Sequence, residues 1–170
     1  MNLVLIGYRG TGKTAVADIL SEKLGMKKIS TDKAIVEREG KSIPEIVEEN
    51  GWDKFRDIET EVVKQAASKD NVIIDCGGGV VLREENVHAL REKGKVFLLT
   101  ASVERISERI KDDNQRPALK GGKTFVEEIK EVLDERMEKY NKAKDFDIDG
   151  NDISVREMAD KIIEKWQEAA

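Results

Sequence analysis

"GYRGTGKT", residues Gly7–Thr14, follows without a break on the apolar run Leu3–Ile6. The run has the length and character of a buried strand. The eight residues match the spacing G-x-x-x-x-G-K-[ST], and a helical pattern follows from Lys13 to about Leu24. Strand, glycine-rich loop and helix in that order make a phosphate cradle. Gly7, Gly10 and Gly12 let backbone N–H groups wrap an anion, and the new helix points its positive end at the same place. Lys13 is placed to reach the β- and γ-phosphates of a nucleotide, and the Thr14 hydroxyl to ligate Mg²⁺.

Outward from this loop, short apolar runs recur at Val72–Ile74 and Val96–Leu99, with weaker ones at Lys28–Ser30 and Phe146–Ile148. Helical patterns lie between them. Capping-box signatures mark three helix starts: Ser42 to Glu45 with Pro44 in the first turn, Thr124 to Glu127, and Ser154 to Glu157. Strands alternating with helices predict an α/β domain with a parallel sheet covered on both faces. A single domain over 1–170 suits the length.

The run Val72–Ile74 ends on Asp75 and continues through Cys76 into Gly77–Gly79. A turn needs one or two glycines; three in succession indicate that backbone must come close to something. Proteins with this phosphate loop place an acidic residue at the end of a neighbouring strand, where it serves the metal. Asp75 and Thr14 are accordingly the expected metal residues. The plainer alternative is that Asp75 caps a loop. Free N–H groups on Gly77, Gly78 and Gly79 would face an anionic or hydroxylated acceptor.

Composition narrows the classes. Apolar residues make up 39% and charged residues 38%, with a net charge of −5 and no basic tract. That balance describes a folded chain with a heavily charged surface and disfavours nucleic-acid binding. One cysteine, Cys76, excludes an internal disulfide and suits a reducing compartment. No stretch is long and apolar enough for a membrane span, and Met1–Ile6 is too short for a signal peptide. We expect a cytoplasmic monomer. His88, Trp52 and Trp166 read as solvated or packing residues, and Glu127–Glu138 as an exposed helix with i,i+4 pairs.

A phosphate loop alone serves kinases, GTPases and motors. The guanine-reading N-K-x-D stretch is absent, and large ATPases need more chain, so the length favours a small kinase using ATP and Mg²⁺. Kinases exclude water from the transferring phosphate. The segment Lys111–Lys123, "KDDNQRPALKGGK", is charged, contains Pro117, Gly121 and Gly122, and is long enough to be a lid bringing Arg116 to the γ-phosphate.

Taken in order, these motifs resemble the shikimate kinases over nearly the whole chain. They are the loop at Gly7–Thr14, "STDKAIVEREGKSIPEI" with Asp32, "FRDIE" with Arg56 and Glu59, the triple glycine, "RP" at Arg116–Pro117, and "ERMEKY" with Arg136. The resemblance implies a five-stranded parallel sheet flanked by helices, a lid, and a substrate-binding segment at about 31–60. It implies transfer of the γ-phosphate of ATP to the 3-hydroxyl of shikimate, a small carboxylic acid with three hydroxyls. Lys13, Asp32 and Arg116 would be catalytic. Gly10, Thr11, Gly12, Lys13, Thr14, Ala15, Arg109, Arg116 and Asn151 would hold the nucleotide. Asp32, Arg56, Gly77, Gly78, Gly79 and Arg136 would hold the acceptor, with Phe55 and Ile43 on its apolar side. The guanidinium fork suits a carboxylate, and Glu59 lies one helical turn from Arg56 to orient it. One feature departs from the family: its usual D-x-D at the second strand's end reads Ser30-Thr31-Asp32 here. Two other readings stand at this point: a kinase of another hydroxylated carboxylic acid or sugar acid, and a nucleotide-binding regulator without catalysis.

Overall fold

The computed structural model describes residues 1–111 and 125–170. Its strands are β1 (Asn2–Ile6), β2 (Lys27–Ser30), β3 (Val72–Asp75), β4 (Gly94–Thr100) and β5 (Phe146–Asp149). Its helices are α1 (Lys13–Leu24), α2 (Thr31–Glu39), α3 (Ile43–Ala67), α4 (Glu84–Glu92), α5 (Val103–Ile110), α6 (Phe125–Ala143) and α7 (Val155–Ala169), with a 3₁₀ turn at Val80–Leu82. The strands form one parallel sheet in the order β2-β3-β1-β4-β5. All five expected runs are therefore strands, and the predicted α/β class holds.

Side chains alternate across a strand, so β1 feeds two cores. Val4 and Ile6 join Ile74, Val96 and Leu98 beneath α3, α4 and α6. Leu3 and Leu5 join Ile73, Phe97 and Leu99 beneath α1 and α7. Burial on both faces explains why these strands read as continuous apolar runs rather than alternating ones.

The order also places the site. From β1 the chain passes to β2, returns through β3 between them, and then crosses to β4 on the other side of β1. Such a reversal opens a crevice at the carboxyl ends of the central strands. Gly7 leaves β1 there with φ +143°, and a Cβ on it would stand 2.4 Å from the Leu99 carbonyl oxygen. Only glycine lets the loop start so close to β4.

Two smaller clusters brace the elements around the crevice. Ile35, Ile43, Ile46, Phe55, Ile58 and Val62 bind α2 to α3, which is interrupted at Gly51. Tyr8, Ile106, Ile110, Ile129 and Val132 bind the phosphate loop to α5 and α6.

Helix α6 corrects one expectation. It is amphipathic rather than simply exposed: Glu128, Ile129, Val132, Arg136, Tyr140 and Ala143 are buried. The Glu138–Lys142 pair at 3.1 Å lies on its outer face as expected. The caps differ in detail. Ser154 and Glu157 form the complete reciprocal box at the start of α7. At α3 the Ser42 Oγ accepts from the Glu45 N–H, but its hydroxyl bonds the Glu45 carboxylate instead of the carboxylate reaching back to the backbone. Thr124 lies outside the described residues. Since α7 packs Met158, Ala159, Ile162 and Trp166 on the sheet, Ser154→Ala should cost about 1 kcal/mol. Calorimetry should show the melting temperature lower by roughly 2–4 °C.

Candidate active site

The loop closes around its lysine. Lys13 Nζ donates to the carbonyls of Gly7 at 2.7 Å and Tyr8 at 2.9 Å. The Thr11 hydroxyl donates to the same Tyr8 carbonyl at 2.8 Å. Arg109, in the last turn of α5, donates to the Gly10 carbonyl at 3.0 Å. A Cβ on Gly12 would meet Arg109 Nη1 at 3.3 Å and Val155 at 3.8 Å, so α5 and the start of α7 flank the loop. Burial, then the neighbouring Arg105, lowers the pKa of the Arg109 guanidinium. Asn151 has its side chain engaged: its Oδ1 accepts from the Ser102 N–H at 2.9 Å, joining the loop after β5 to the start of α5.

At the end of β3, Asp75 is buried and accepts from the Thr14 hydroxyl at 2.9 Å. Burial raises its carboxyl above the ordinary value, while Lys13 and the Thr14 hydroxyl pull it down and Asp32 pushes it up. Ser30 is its register partner on β2. Ser30 also caps α2, accepting from the Lys33 N–H at 3.3 Å. Two adjacent oxygen donors beside Lys13 suit a hard cation that keeps several waters, as Mg²⁺ does. Among the described residues no group of three or more His, Cys, Asp or Glu gathers to hold a metal alone.

The triple glycine is a close-approach surface, and each residue meets a different side chain. A Cβ on Gly77 would stand 2.7 Å from Asp32 Oδ1 and 3.2 Å from Glu59 Oε2. On Gly78 it would lie 3.4 Å from the Arg9 backbone nitrogen and 3.6 Å from Arg136 Nη1. On Gly79 it would collide with the Arg56 guanidinium at 2.4–2.6 Å. Asp32, Arg136 and Arg56, far apart in sequence, thus converge on one backbone stretch beside the phosphate loop. The expectation of three free amides is corrected at Gly77, whose N–H donates to Thr31 Oγ1 at 3.0 Å.

Arg56 bonds Glu59 at 2.9 Å as its spacing predicted. Its guanidinium also lies 5.2 Å from the Trp52 ring and 5.1 Å from the Phe55 ring, within cation–π range. Trp52 was expected only to pack; its place four residues before Arg56 on a helix was the available signal. Arg9, a variable position of the loop motif, pairs with Glu128 of α6 at 3.9 Å and was not foreseen. Ile43 lines the cavity as expected, whereas Phe55 is fully buried behind it. His88 is exposed, and Cys76 is a buried thiol whose pKa burial raises strongly. Arg116 lies outside the described residues, as does the lid segment beyond Lys111.

The crevice encloses about 730 Å³. Lys13, Thr14, Ala15 and Arg109 line it together with Asp32 and Asp75, so Asp32 shares a cavity with residues expected to hold the nucleotide, whereas Arg56, Arg136 and Gly77–Gly79 are not in its lining.

Comparison with known proteins bears on this arrangement. The shikimate kinase family model matches residues 9–167. A shikimate kinase of Thermodesulfovibrio yellowstonii is 43% identical over 98% of this chain and 95% of its own. The structure of a shikimate kinase from Acinetobacter baumannii in complex with shikimate superposes with a TM-score of 0.94 at 30% identity, covering 99% of this chain and 93% of that one. The shikimate kinase of Aquifex aeolicus gives 0.84 at 34% identity, over 98% and 96%. With motifs, topology and near-complete coverage in agreement, this chain belongs to the shikimate kinase family.

Proposed function

We propose that the chain transfers the γ-phosphate of ATP to the 3-hydroxyl of shikimate, giving shikimate 3-phosphate for aromatic amino-acid biosynthesis. The observation that carries this reading is the convergence of Arg56, Arg136 and Asp32 on Gly77–Gly79, against the loop that holds Lys13. Two guanidinium groups fit a carboxylate, and a carboxylate beside them fits a hydroxyl.

Phosphoryl transfer asks the protein for position and charge more than for covalent chemistry. Arg56 and Arg136 hold the shikimate carboxylate at one end, and Trp52, Phe55 and Glu59 fix Arg56. Asp32 accepts the proton of the attacking hydroxyl as its oxygen bonds the γ-phosphorus and the bond to the leaving ADP oxygen breaks. Lys13 follows the charge moving through the phosphates. Gly10, Thr11, Gly12 and Ala15 frame the phosphates with the loop backbone, and Arg109 and Asn151 border the base. Thr14 and Asp75 would hold Mg²⁺, which would supply charge neutralisation for the transferring phosphate. Residues 31–60 serve as the acceptor-binding segment. Residues 111–123 serve as the lid carrying Arg116 to the γ-phosphate; the flanking α5 and α6 both pack on Tyr8 of the loop.

The chain works as a single domain over 1–170 and as a cytoplasmic monomer that binds neither nucleic acid nor membrane. Among the described residues, no helix is long and apolar enough to cross a membrane.

A coupled ATP-consumption assay tests the reaction with shikimate, quinate, gluconate and nucleoside monophosphates as acceptors. Turnover with shikimate well above the others is expected; none above background with shikimate rejects the proposal. Arg56→Ala and Arg136→Ala should each raise the shikimate KM by about tenfold or more and leave the ATP KM unchanged, because a charge-assisted hydrogen bond contributes about 1.5–3 kcal/mol. An unchanged shikimate KM removes that arginine from the acceptor site.

A further inference from the structure

Tyr140 is fully buried on α6, among Val4, Ile6, Val80, Val81 and Leu98. A phenylalanine would fill the same apolar space without a hydroxyl to satisfy. The hydroxyl is nevertheless used: it donates to the Gly78 carbonyl, and the Arg136 guanidinium lies against the same glycine, its Nη1 3.6 Å from where a Cβ on Gly78 would stand. Arg136 sits one helical turn before it on the same face. Tyr140 therefore holds the glycine against which Arg136 lies.

The consequence follows from peptide geometry. The Gly78 carbonyl and the Gly79 N–H belong to one planar trans peptide and point in opposite directions. Holding the carbonyl fixes the amide. Thr31 holds the Gly77 N–H, and Val80 and Leu82 hold the Gly77 and Gly79 carbonyls, which leaves the Gly78 carbonyl to Tyr140. We propose that Tyr140 is a positioning residue for the acceptor, its hydroxyl locking the Gly78–Gly79 peptide against which the Arg136 guanidinium lies. The inference rests on the acceptor site described above and adds a residue that touches no substrate.

The test is Tyr140→Phe in the full chain, alone and combined with Arg136→Ala, assayed with ATP and shikimate and followed by thermal unfolding. The single variant should raise the shikimate KM by roughly tenfold, leave the ATP KM within about twofold, and keep a cooperative melting transition. In the Arg136→Ala background the same change should have clearly less effect, since the positioned group is gone. An unchanged shikimate KM overturns the role, as does a parallel rise in both KM values, a lost melting transition, or a full effect without Arg136. If the wild-type chain turns over shikimate and the variant matches it, Tyr140 alone is misassigned. A wild-type chain silent with shikimate rejects the acceptor and the Tyr140 role together.

Discussion

Gly79→Ala is expected to fold normally and to lose its grip on the acceptor. The backbone at Gly79 has φ −97° and ψ 11°, which alanine adopts without strain. The added Cβ, however, would stand 2.4 Å, 2.5 Å and 2.6 Å from Nη2, Nη1 and Cζ of Arg56. Those atoms are the far end of a flexible side chain, so the arginine moves and the fold does not. It leaves the Glu59 carboxylate, the Trp52 face and the acceptor carboxylate at once, and a methyl group enters the wall. The shikimate KM should rise by roughly thirtyfold or more, equivalent to about 2 kcal/mol. The ATP KM and the melting temperature should hardly change. A graded series sharpens the expectation. Gly77→Ala crowds Asp32 at 2.7 Å and should also impair turnover, whereas Gly78→Ala meets nothing closer than 3.4 Å and should be mild. Steady-state kinetics on the three variants checks the order. If Gly78→Ala is the worst, or Gly79→Ala is silent, the glycines do not serve as a surface for these side chains.

That series separates what was legible in the sequence from what was not. The strands were legible because burial on both faces leaves unbroken apolar runs, and the loop because its glycines and lysine have fixed spacing. The Arg56–Glu59 pair was legible because one helical turn separates the two residues. Three glycines in succession signalled a close approach, but not which groups approach, because Asp32, Arg56 and Arg136 arrive from three different helices. The Arg9–Glu128 pair and the Tyr140–Gly78 bond were hidden for the same reason. The buried face of α6 was masked by composition. Its Glu and Lys runs dominate the sequence, yet Ile129, Val132, Arg136 and Tyr140 follow a three- and four-residue spacing that a stricter helical count reveals.

The arrangement also explains why the triple glycine belongs beside Asp75. On the proposed roles, one small acceptor must span from Arg56 and Arg136 to the phosphate loop and Asp75, and bulky side chains along 77–79 would hold these groups apart. Register supplies the remaining link. Ser30 and Asp75 are paired across β2 and β3, so the carboxylate that Ser30 lacks relative to the family's usual D-x-D has a counterpart directly beside it on the neighbouring strand.

That pairing leads to the other large effect. Asp75→Ser should lower kcat by roughly a hundredfold and raise the Mg²⁺ concentration needed for half-maximal nucleotide binding by about tenfold. The metal-side carboxylate would be lost while Thr14 and Lys13 stay in place. Adding Ser30→Asp to that variant should restore much of the loss. Adjacent parallel strands lie about 4.8 Å apart, a span that a bound water bridges readily. Aspartate also caps a helix as well as serine does, so α2 should keep its N-cap. In the unmodified chain the same Ser30→Asp change should harm rather than help. It sets a second carboxylate against Asp75, which burial and Asp32 already push toward its protonated form. One substitution therefore carries opposite signs in the two backgrounds, an outcome that loop capping by Asp75 does not produce. Mg²⁺ titrations of nucleotide binding by calorimetry, alongside kcat, read the cycle independently of turnover. If Asp75→Ser leaves the Mg²⁺ dependence as it was, or if Ser30→Asp has the same sign in both backgrounds, the carboxylate has not moved from one strand to the other.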